Sequence, residues 1–183
     1  MFKFLFLSNL LPEKGVLLLL DACCELKKRG CSFICHVVGN ECSELSLSRL
    51  GDEVSLRGLP DAVQVHGPLY GENKDAMLRL ADALVFPSYY HNECFPLVIL
   101  EAMKHALPVI STRLAAIPDM VEQGVTGLLV PPRDVAALAD AMQNLMADPE
   151  SAARMGEAGR VKQQRYFTAE QFENTLCSIL RGD

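Results

Sequence analysis

Residues 88–96 bring together side chains whose chemistry suits a ligand site. The segment reads SYYHNECFP, and Glu101 follows Glu93 after seven intervening residues. Pro96 suits the first turn of a helix, because its missing N–H group would have no partner there. Glu93 then lies just before this helix and Glu101 about two turns along it. The two carboxylates can therefore face the mouth of one pocket.

Each of these acids also has a simpler interpretation. Glu93 can stabilise the positive end of the helix, and Glu101 can be an exposed helical acid. Against this, Glu101 stands in an apolar run, where a carboxylate is costly to bury unless something binds it. Paired carboxylates are also typical of glycoside hydrolases, but a parallel α/β domain of this size lacks an obvious substrate cleft.

A second candidate site lies near the start of the chain, in the segment SNLLPEKG at residues 8–15. Backbone N–H groups at such a helix start bind anions, and Lys14 could add a full charge. Neither the glycine-rich dinucleotide motif nor the P-loop motif is present. An ordinary solvated helix start remains the alternative interpretation.

Arg113 and His66 are weaker candidates, and both follow or end a predicted strand. Arg113 could contact a phosphate or simply lie on the surface, and His66 ends its strand at the binding edge. No HxxxH pattern or acidic cluster indicates a metal site.

Composition restricts the class of protein. The 183 residues are 50% hydrophobic and 22% charged, as in one folded domain. The net charge of −6 offers no basic surface for nucleic acid, and no apolar run is long enough to span a bilayer. Seven cysteines without a CxxC pattern predict reduced, buried residues in a cytoplasmic protein, with Cys31 and Cys35 on one strand face.

The elements that must position these residues alternate along the chain. Short runs that are apolar at almost every position suit a parallel sheet covered on both faces. The pattern predicts an α/β, Rossmann-like doubly wound sheet of about six strands, with C-terminal helices that cap it. Ligands bind such sheets at the carboxyl ends of the strands. The predicted strands are 2–7, 32–38, 63–66, 83–86, 109–111 and 127–130; the predicted helices are 14–29, 75–81, 96–106, 117–123, 135–146, 151–164 and 169–180, with one poor helix and a loop in 42–60.

These sequence blocks resemble glycosyltransferase family 4, a group of retaining nucleotide-sugar transferases with the two-domain GT-B fold. The core of the resemblance is the pair of acids Glu93 and Glu101, followed by Ala102 and Met103. The resemblance covers nearly the whole chain. Further blocks occur in the family's order and spacing: PEKG at 12–15, ALPVIST at 106–112, IPDMV at 117–121 and GVTGLLVPP at 124–132.

The resemblance implies a site for a nucleotide diphosphate sugar, with Glu93 and Lys14 as catalytic residues. Glu93 would accept hydrogen bonds from sugar hydroxyls, Glu101 would bind the ribose, and Lys14 would neutralise the departing diphosphate without a metal or other cofactor. Backbone amides at 94–97 would hold sugar and diphosphate, and the loop 66–70 would surround the base. The implied donor-binding residues are Asn9, Lys14, His66, Gly67, Leu69, Tyr70, Glu93, Cys94, Phe95, Pro96, Leu97 and Glu101.

Two departures from the family's pattern leave a second hypothesis open. Asn9 stands where members commonly carry an arginine that clamps phosphate, and Ala115 and Ala116 replace the usual glycine pair. An asparagine brings no charge, and alanine restricts the approach of the backbone to a ligand. The alternative is a non-catalytic nucleotide-binding or interaction module with the same fold.

The resemblance also implies that two domains form the active site together, because GT-B active sites lie in the cleft between two Rossmann-like halves. Residues 1–183 are expected to form the single donor-binding domain, with the N-terminal acceptor-binding domain absent or on a partner chain. The expected enzyme is a cytoplasmic hexosyltransferase, with peripheral membrane association of the full enzyme possible. The chain alone is expected to bind a nucleotide sugar weakly and to transfer nothing.

Overall fold

The sheet has six parallel strands in the order β3-β2-β1-β4-β5-β6. The computed structural model describes residues 1–181. Every neighbouring pair of strands is parallel, so the predicted doubly wound class is confirmed. The strands are β1 Phe2–Leu7, β2 Phe33–Val38, β3 Val63–Gly67, β4 Ala83–Phe86, β5 Val109–Thr112 and β6 Gly127–Val130.

Both faces of this sheet are covered, which explains its nearly continuous apolar strands. Successive residues of a strand point to opposite faces. Phe4 and Phe6 therefore belong to one buried cluster, whereas Leu5 belongs to another on the opposite side. Helices are needed on both faces to complete these clusters. The helices of the described residues are α1 Val16–Lys28, α2 Leu47–Leu56, α3 Gly71–Leu80, α4 Leu97–Lys104, α5 Ile117–Met120, α6 Val135–Ala147, α7 Pro149–Tyr166 and α8 Ala169–Arg181.

The C-terminal helices α6 and α7 pack around the sheet, on different neighbours. Helix α6 packs on α1, and its Leu138 and Met142 join the cluster around Phe4. Helix α7 packs mainly on α4. Gly156 of α7 permits a close approach to the turn after α4, because a Cβ there would lie 1.9 Å from the Ala106 carbonyl oxygen. The two helices thus extend the layers on both sides of the sheet.

Three helices differ most from the prediction, and the others differ by one or two residues at their ends. The poorly patterned stretch 42–60 contains the regular helix α2, because the Ser46 hydroxyl accepts from the Arg49 N–H at 3.2 Å and Leu50 and Val54 are buried. Helix α3 begins at Gly71, four residues before the predicted start, since its first turn is polar and shows no apolar periodicity. Helix α5 ends early, at Met120, because Val121 is extended.

The cysteines are all free, but they do not share one environment. Cys23 and Cys35 are buried, whereas Cys94 and Cys177 are exposed, so the prediction of uniformly buried cysteines was wrong. Cys31 precedes β2, because its N–H donates to the Leu26 carbonyl in the turn that ends α1. It therefore does not lie on a strand face with Cys35. No helix within residues 1–181 has the length and apolar character needed to cross a membrane.

Candidate functional site

The loop after β1 packs against the loop after β4, and a glycine makes this approach possible. Residues Pro12–Lys14 form a 3₁₀ turn, and Gly15 follows with a φ of 88°. A Cβ at Gly15 would lie 2.2 Å from the Pro87 carbonyl oxygen. The Tyr89 N–H also donates to the Glu13 carbonyl at 2.8 Å. These contacts bring Lys14 to the segment that carries Glu93.

Lys14 and Glu93 form an almost fully shielded ion pair. The Lys14 Nζ lies 2.8 Å from the Glu93 Oε2, and the side chains are 15% and 6% exposed. The Ser88 hydroxyl donates to the same oxygen at 2.8 Å. The ammonium also lies 4.7 Å from the centre of the Tyr90 ring, within the range of a cation–π interaction. Such a shielded, oriented pair of charges is typical of functional sites, because burial of charge is costly.

Hydroxyl groups at the end of β5 hold the loop that carries Glu93. The Ser111 Oγ donates to the Phe86 carbonyl at 2.7 Å, and the Thr112 Oγ1 donates to the Ser88 carbonyl at 2.6 Å. Both hydroxyls are buried. The sequence interpretation included Ser88 in the candidate segment 88–96 but assigned no role to its hydroxyl or to those of Ser111 and Thr112. The sequence feature that could have indicated this role is the change from Val109 and Ile110 to Ser111 and Thr112 at the end of the strand.

The N-terminus of α4 presents backbone N–H groups to the same region. Pro96 is the N-cap residue, one position before the helix and not in its first turn as predicted, and its carbonyl accepts from the Ile99 N–H at 3.0 Å. No side chain caps this helix. Within residues 1–181, the N–H groups of Cys94, Phe95 and Leu97 have no hydrogen-bond partner. Free N–H groups at the positive end of a helix suit an anionic ligand.

Glu101 is not buried among apolar side chains, and it has a cationic partner. Its side chain is 38% exposed, and the Lys74 Nζ lies 2.6 Å from its Oε1. Lys74 comes from the first turn of α3, and the sequence interpretation missed it. A lysine in a polar helix start gives no signal by spacing alone.

Glu101 and Lys74 line a cavity of 240 Å³ at the carboxyl ends of β1 and β2. This position is next to the switch between β1 and β4, where open α/β sheets bind ligands. Gly39 permits the wall to close, because a Cβ there would lie 1.7 Å from the Ser8 carbonyl oxygen. Of the predicted donor-binding residues, those in the wall are Asn9, Leu69, Tyr70, Leu97 and Glu101; the wall also contains Leu7, Ser8, Val38, Gly39, Asn40, Pro68, Lys74 and Val98.

Asn40 connects two of the predicted residues across this cavity. The Tyr70 hydroxyl donates to the Asn40 Oδ1 at 3.1 Å, and the Asn40 Nδ2 donates to the Asn9 Oδ1 at 3.4 Å. Asn9 therefore takes part in a neutral chain of hydrogen bonds and brings no charge to the site. Asn40 was also missed, since its position at the end of a strand was the only indication.

His66 lies outside the cavity wall, two positions before Pro68, and has another partner. Its Nε2 lies 3.0 Å from the Nδ1 of His36, which is buried on β2. Loss of hydration lowers the pKa of both rings, and the neighbouring His66 lowers the pKa of His36 further. Gly67 is buried at the end of β3, with a φ of 65°. The His66 ring does not line the cavity, so the predicted contact with the base rests on the following loop residues Pro68, Leu69 and Tyr70.

Two other candidates remain at the surface. The Phe95 side chain is 43% exposed and its ring contacts that of Phe167, with 5.9 Å between centroids. The Arg113 Nη2 lies 3.4 Å from the Gln123 Oε1, on an exposed side chain. Neither side chain lines the cavity. Within residues 1–181, no group of three or more His, Cys, Asp or Glu side chains is arranged to hold a metal ion.

The fold and the position of the site define one half of a GT-B glycosyltransferase. Sucrose-phosphate synthase from Thermosynechococcus elongatus is similar with a TM-score of 0.87 and 30% identity, over 99% of this chain and 45% of that chain. The Anabaena protein HepE, solved in complex with UDP, has the same fold. Its TM-score is 0.88 at 22% identity, over 100% of this chain and 49% of that one.

The chain belongs to the family described as glycosyl transferases group 1, whose family model matches residues 2–162. The resemblance is thereby confirmed at the level of this family. The chain is 34% identical over 179 residues to alpha-D-kanosaminyltransferase from Streptomyces kanamyceticus, which covers 97% of this chain and 45% of the relative. It thus spans less than half the length of that curated relative.

Proposed function

We propose that this chain binds the nucleotide sugar for a retaining hexosyl transfer. The observation that carries the proposal is the shielded Lys14–Glu93 pair, 2.8 Å apart, beside the free N–H groups at the start of α4. Preorganised charges and N–H groups of this kind stabilise charge that develops in a transition state. The cavity that ends at Glu101 then accommodates the nucleoside.

The proposed roles follow from these positions. When the sugar–phosphate bond breaks, negative charge grows on the departing diphosphate, and Lys14 with the N–H groups of Cys94, Phe95 and Leu97 stabilises it without a metal. Glu93 accepts hydrogen bonds from the sugar hydroxyls, and Glu101 accepts them from the ribose. The acceptor oxygen bonds to the sugar on the face that the phosphate leaves. Its proton passes to the departing phosphate, so the anomeric configuration is retained.

We further propose that transfer requires a second, acceptor-binding domain. The chain covers about 45% of the length of the curated relatives that match most of it, which supports this division. The exposed side chains of Phe95 and Leu97 lie at the start of α4, where a second domain would face the donor. The isolated chain is expected to bind the donor and to show no turnover. Transfer by this chain alone, at ordinary glycosyltransferase rates, would overturn that expectation.

Calorimetric titration with UDP, GDP, ADP and their glucose derivatives tests the proposal. UDP is the first probe, because the HepE structure with the same fold holds UDP. Binding of at least one nucleotide at millimolar concentration or tighter is expected. No measurable heat with any of them would contradict the donor role.

Two variants separate the roles of the carboxylates. Glu101→Ala should weaken the free nucleoside diphosphate about tenfold or more, since a hydrogen bond to a charged group is lost. Glu93→Ala should weaken mainly the nucleotide sugar and leave the free diphosphate close to wild type. Equal losses for both ligands in both variants would disprove the assignment.

A nucleotide-binding module without transfer is the second candidate, favoured by the neutral Asn9. In place of a cation, this position offers only an amide that already accepts from Asn40. Asn9→Arg distinguishes the two functions. In the transferase, added charge at this wall should strengthen nucleotide binding and leave the chain competent when it is joined to an acceptor domain. Tight nucleotide binding without transfer in that assembly would favour the module.

A further inference from the structure

Lys74 of α3 forms an ion pair with Glu101 of α4. Its ammonium lies 2.6 Å from the Glu101 Oε1, although the two residues are 27 positions apart and belong to different helices. The Lys74 side chain is 28% exposed and lines the cavity together with Glu101. The pair therefore lies in the wall of the nucleoside cavity and not on the outer surface.

The location of Lys74 within its helix is electrostatically unfavourable. Lys74 is the fourth residue of α3, and its N–H donates to the Tyr70 carbonyl at 3.4 Å, in the first turn. Cations are disfavoured near the positive end of a helix. A lysine at this point costs α3 some stability, which the partner carboxylate offsets. The contact with Glu101 is thus the feature that favours a cation here.

The contact also restricts the Glu101 carboxylate. Lys74 occupies Oε1, and within residues 1–181 no group donates to Oε2. An ionised carboxylate has several acceptor sites, so Oε2 remains available for ligand hydroxyls. A charge-assisted hydrogen bond also limits rotation of a side chain that is otherwise held only by its helix. The carboxylate is therefore preorganised before a ligand enters.

We propose that Lys74 is a positioning residue that orients Glu101 for the ribose of the donor. This inference rests on the proposed donor-binding function and adds a residue to it. Lys74 acts through Glu101 and does not touch the diphosphate. Loss of its ammonium should therefore affect ligands only through their ribose hydroxyls.

The test compares UDP with 2′,3′-dideoxy-UDP in calorimetric titrations of the whole chain. Lys74→Met should weaken UDP about tenfold, the scale expected for one oriented charged hydrogen bond, and change dideoxy-UDP by less than about twofold. Lys74→Arg should retain most of the UDP affinity, because a guanidinium also donates to the carboxylate. In a Glu101→Gln background, Lys74→Met should cause no further loss. If the wild-type chain binds GDP or ADP and not UDP, the matching pair of nucleotides is used.

Lys104→Met is the control, since it makes the same chemical change at an exposed position of α4. It should leave the affinity for both nucleotides unchanged. Equal losses of UDP and dideoxy-UDP in Lys74→Met would show direct action on the diphosphate and overturn the inference, as would no loss at all. A wild-type chain that binds no nucleotide would overturn the donor-binding function as well, so the two failures are distinguishable.

Discussion

Two hydrogen-bond donors on one oxygen fix the orientation of the Glu93 carboxylate. Lys14 supplies a charge and Ser88 a hydroxyl, both at 2.8 Å from Oε2. Within the described residues, Oε1 accepts no hydrogen bond, so one face of the carboxylate is held and the other can bind a ligand. The Thr112 hydroxyl holds the Ser88 backbone in turn. The carboxylate is thus fixed from the neighbouring strand as well as from its own loop.

The types of residue in the sequence identified some members of this site, whereas the spacing between residues identified fewer. Glu93 and Lys14 were recognised from their loops after predicted strands and from the family resemblance, and Glu101 because a carboxylate in an apolar run is unusual. Lys74 was missed, since a lysine in a polar stretch is ordinary until its partner is known. The pairs join residues 79 and 27 positions apart, and no local pattern encodes such contacts.

The His36–His66 pair makes a prediction about pH. The pKa of His36 is lowered from 6.5 by burial and by its neighbour, so the unfolded chain takes up protons before the folded chain does. The free energy of unfolding should therefore be at its full value above about pH 6.5 and fall as the pH drops through the folded pKa. Urea unfolding at pH 7.5 and 5.5 measures this difference, which His36→Gln should reduce.

The exposed residue His91 provides the control for this experiment. His91→Gln should keep the wild-type difference between the two pH values. If His36→Gln loses as much stability on acidification as wild type, the pair does not contribute to the pH dependence.

At the scale of elements, the strands were predictable and several helix ends were not. Strands β1, β4 and β6 match their predicted ranges, because each is a mainly apolar run that ends at a polar residue or a proline. The ends of α3 and α5 depend on local backbone conformation and tertiary packing, which override propensity. The α2 helix depends on the cap at Ser46, and its region showed little periodicity.

The turn before α5 contains a strained alanine that can be relieved. Ala115 has a φ of 47°, in the left-handed region, whereas Ala116 has a φ of −79°. Glycine accepts the left-handed conformation without a steric cost. Ala115→Gly should therefore raise the free energy of unfolding by about 0.5–1 kcal/mol, as measured by urea denaturation.

Ala116→Gly is the matched control, because its backbone is right-handed and glycine only adds flexibility to the unfolded chain. It should lower the free energy of unfolding by about 0.5–1 kcal/mol. Two changes of the same sign would contradict the assignment of strain to Ala115.

For the whole molecule, topology determines where chemistry can occur. The strand order places the switch between β1 and β4 beside the cavity, and alternating apolar runs were enough to predict this class of sheet. Which side chains meet there was not predictable, because it depends on close backbone approaches. Gly15 against Pro87 and Gly39 against Ser8 are the two that form the site.

Helix α4 and the residues just before it carry both carboxylates on one short stretch of backbone. The separation between Glu93 and Glu101 is consequently set by the helix and by the hydroxyl contacts that hold the Glu93 loop, so it resists contraction around a shorter molecule. We expect the site to discriminate by ligand length. A sugar joined to its nucleoside through one phosphate should leave one carboxylate without a partner. Uridine 5′-(glucosyl phosphate) should therefore bind at least about tenfold more weakly than UDP-glucose in competition calorimetry. Equal affinities would show that the two ends of the pocket act independently.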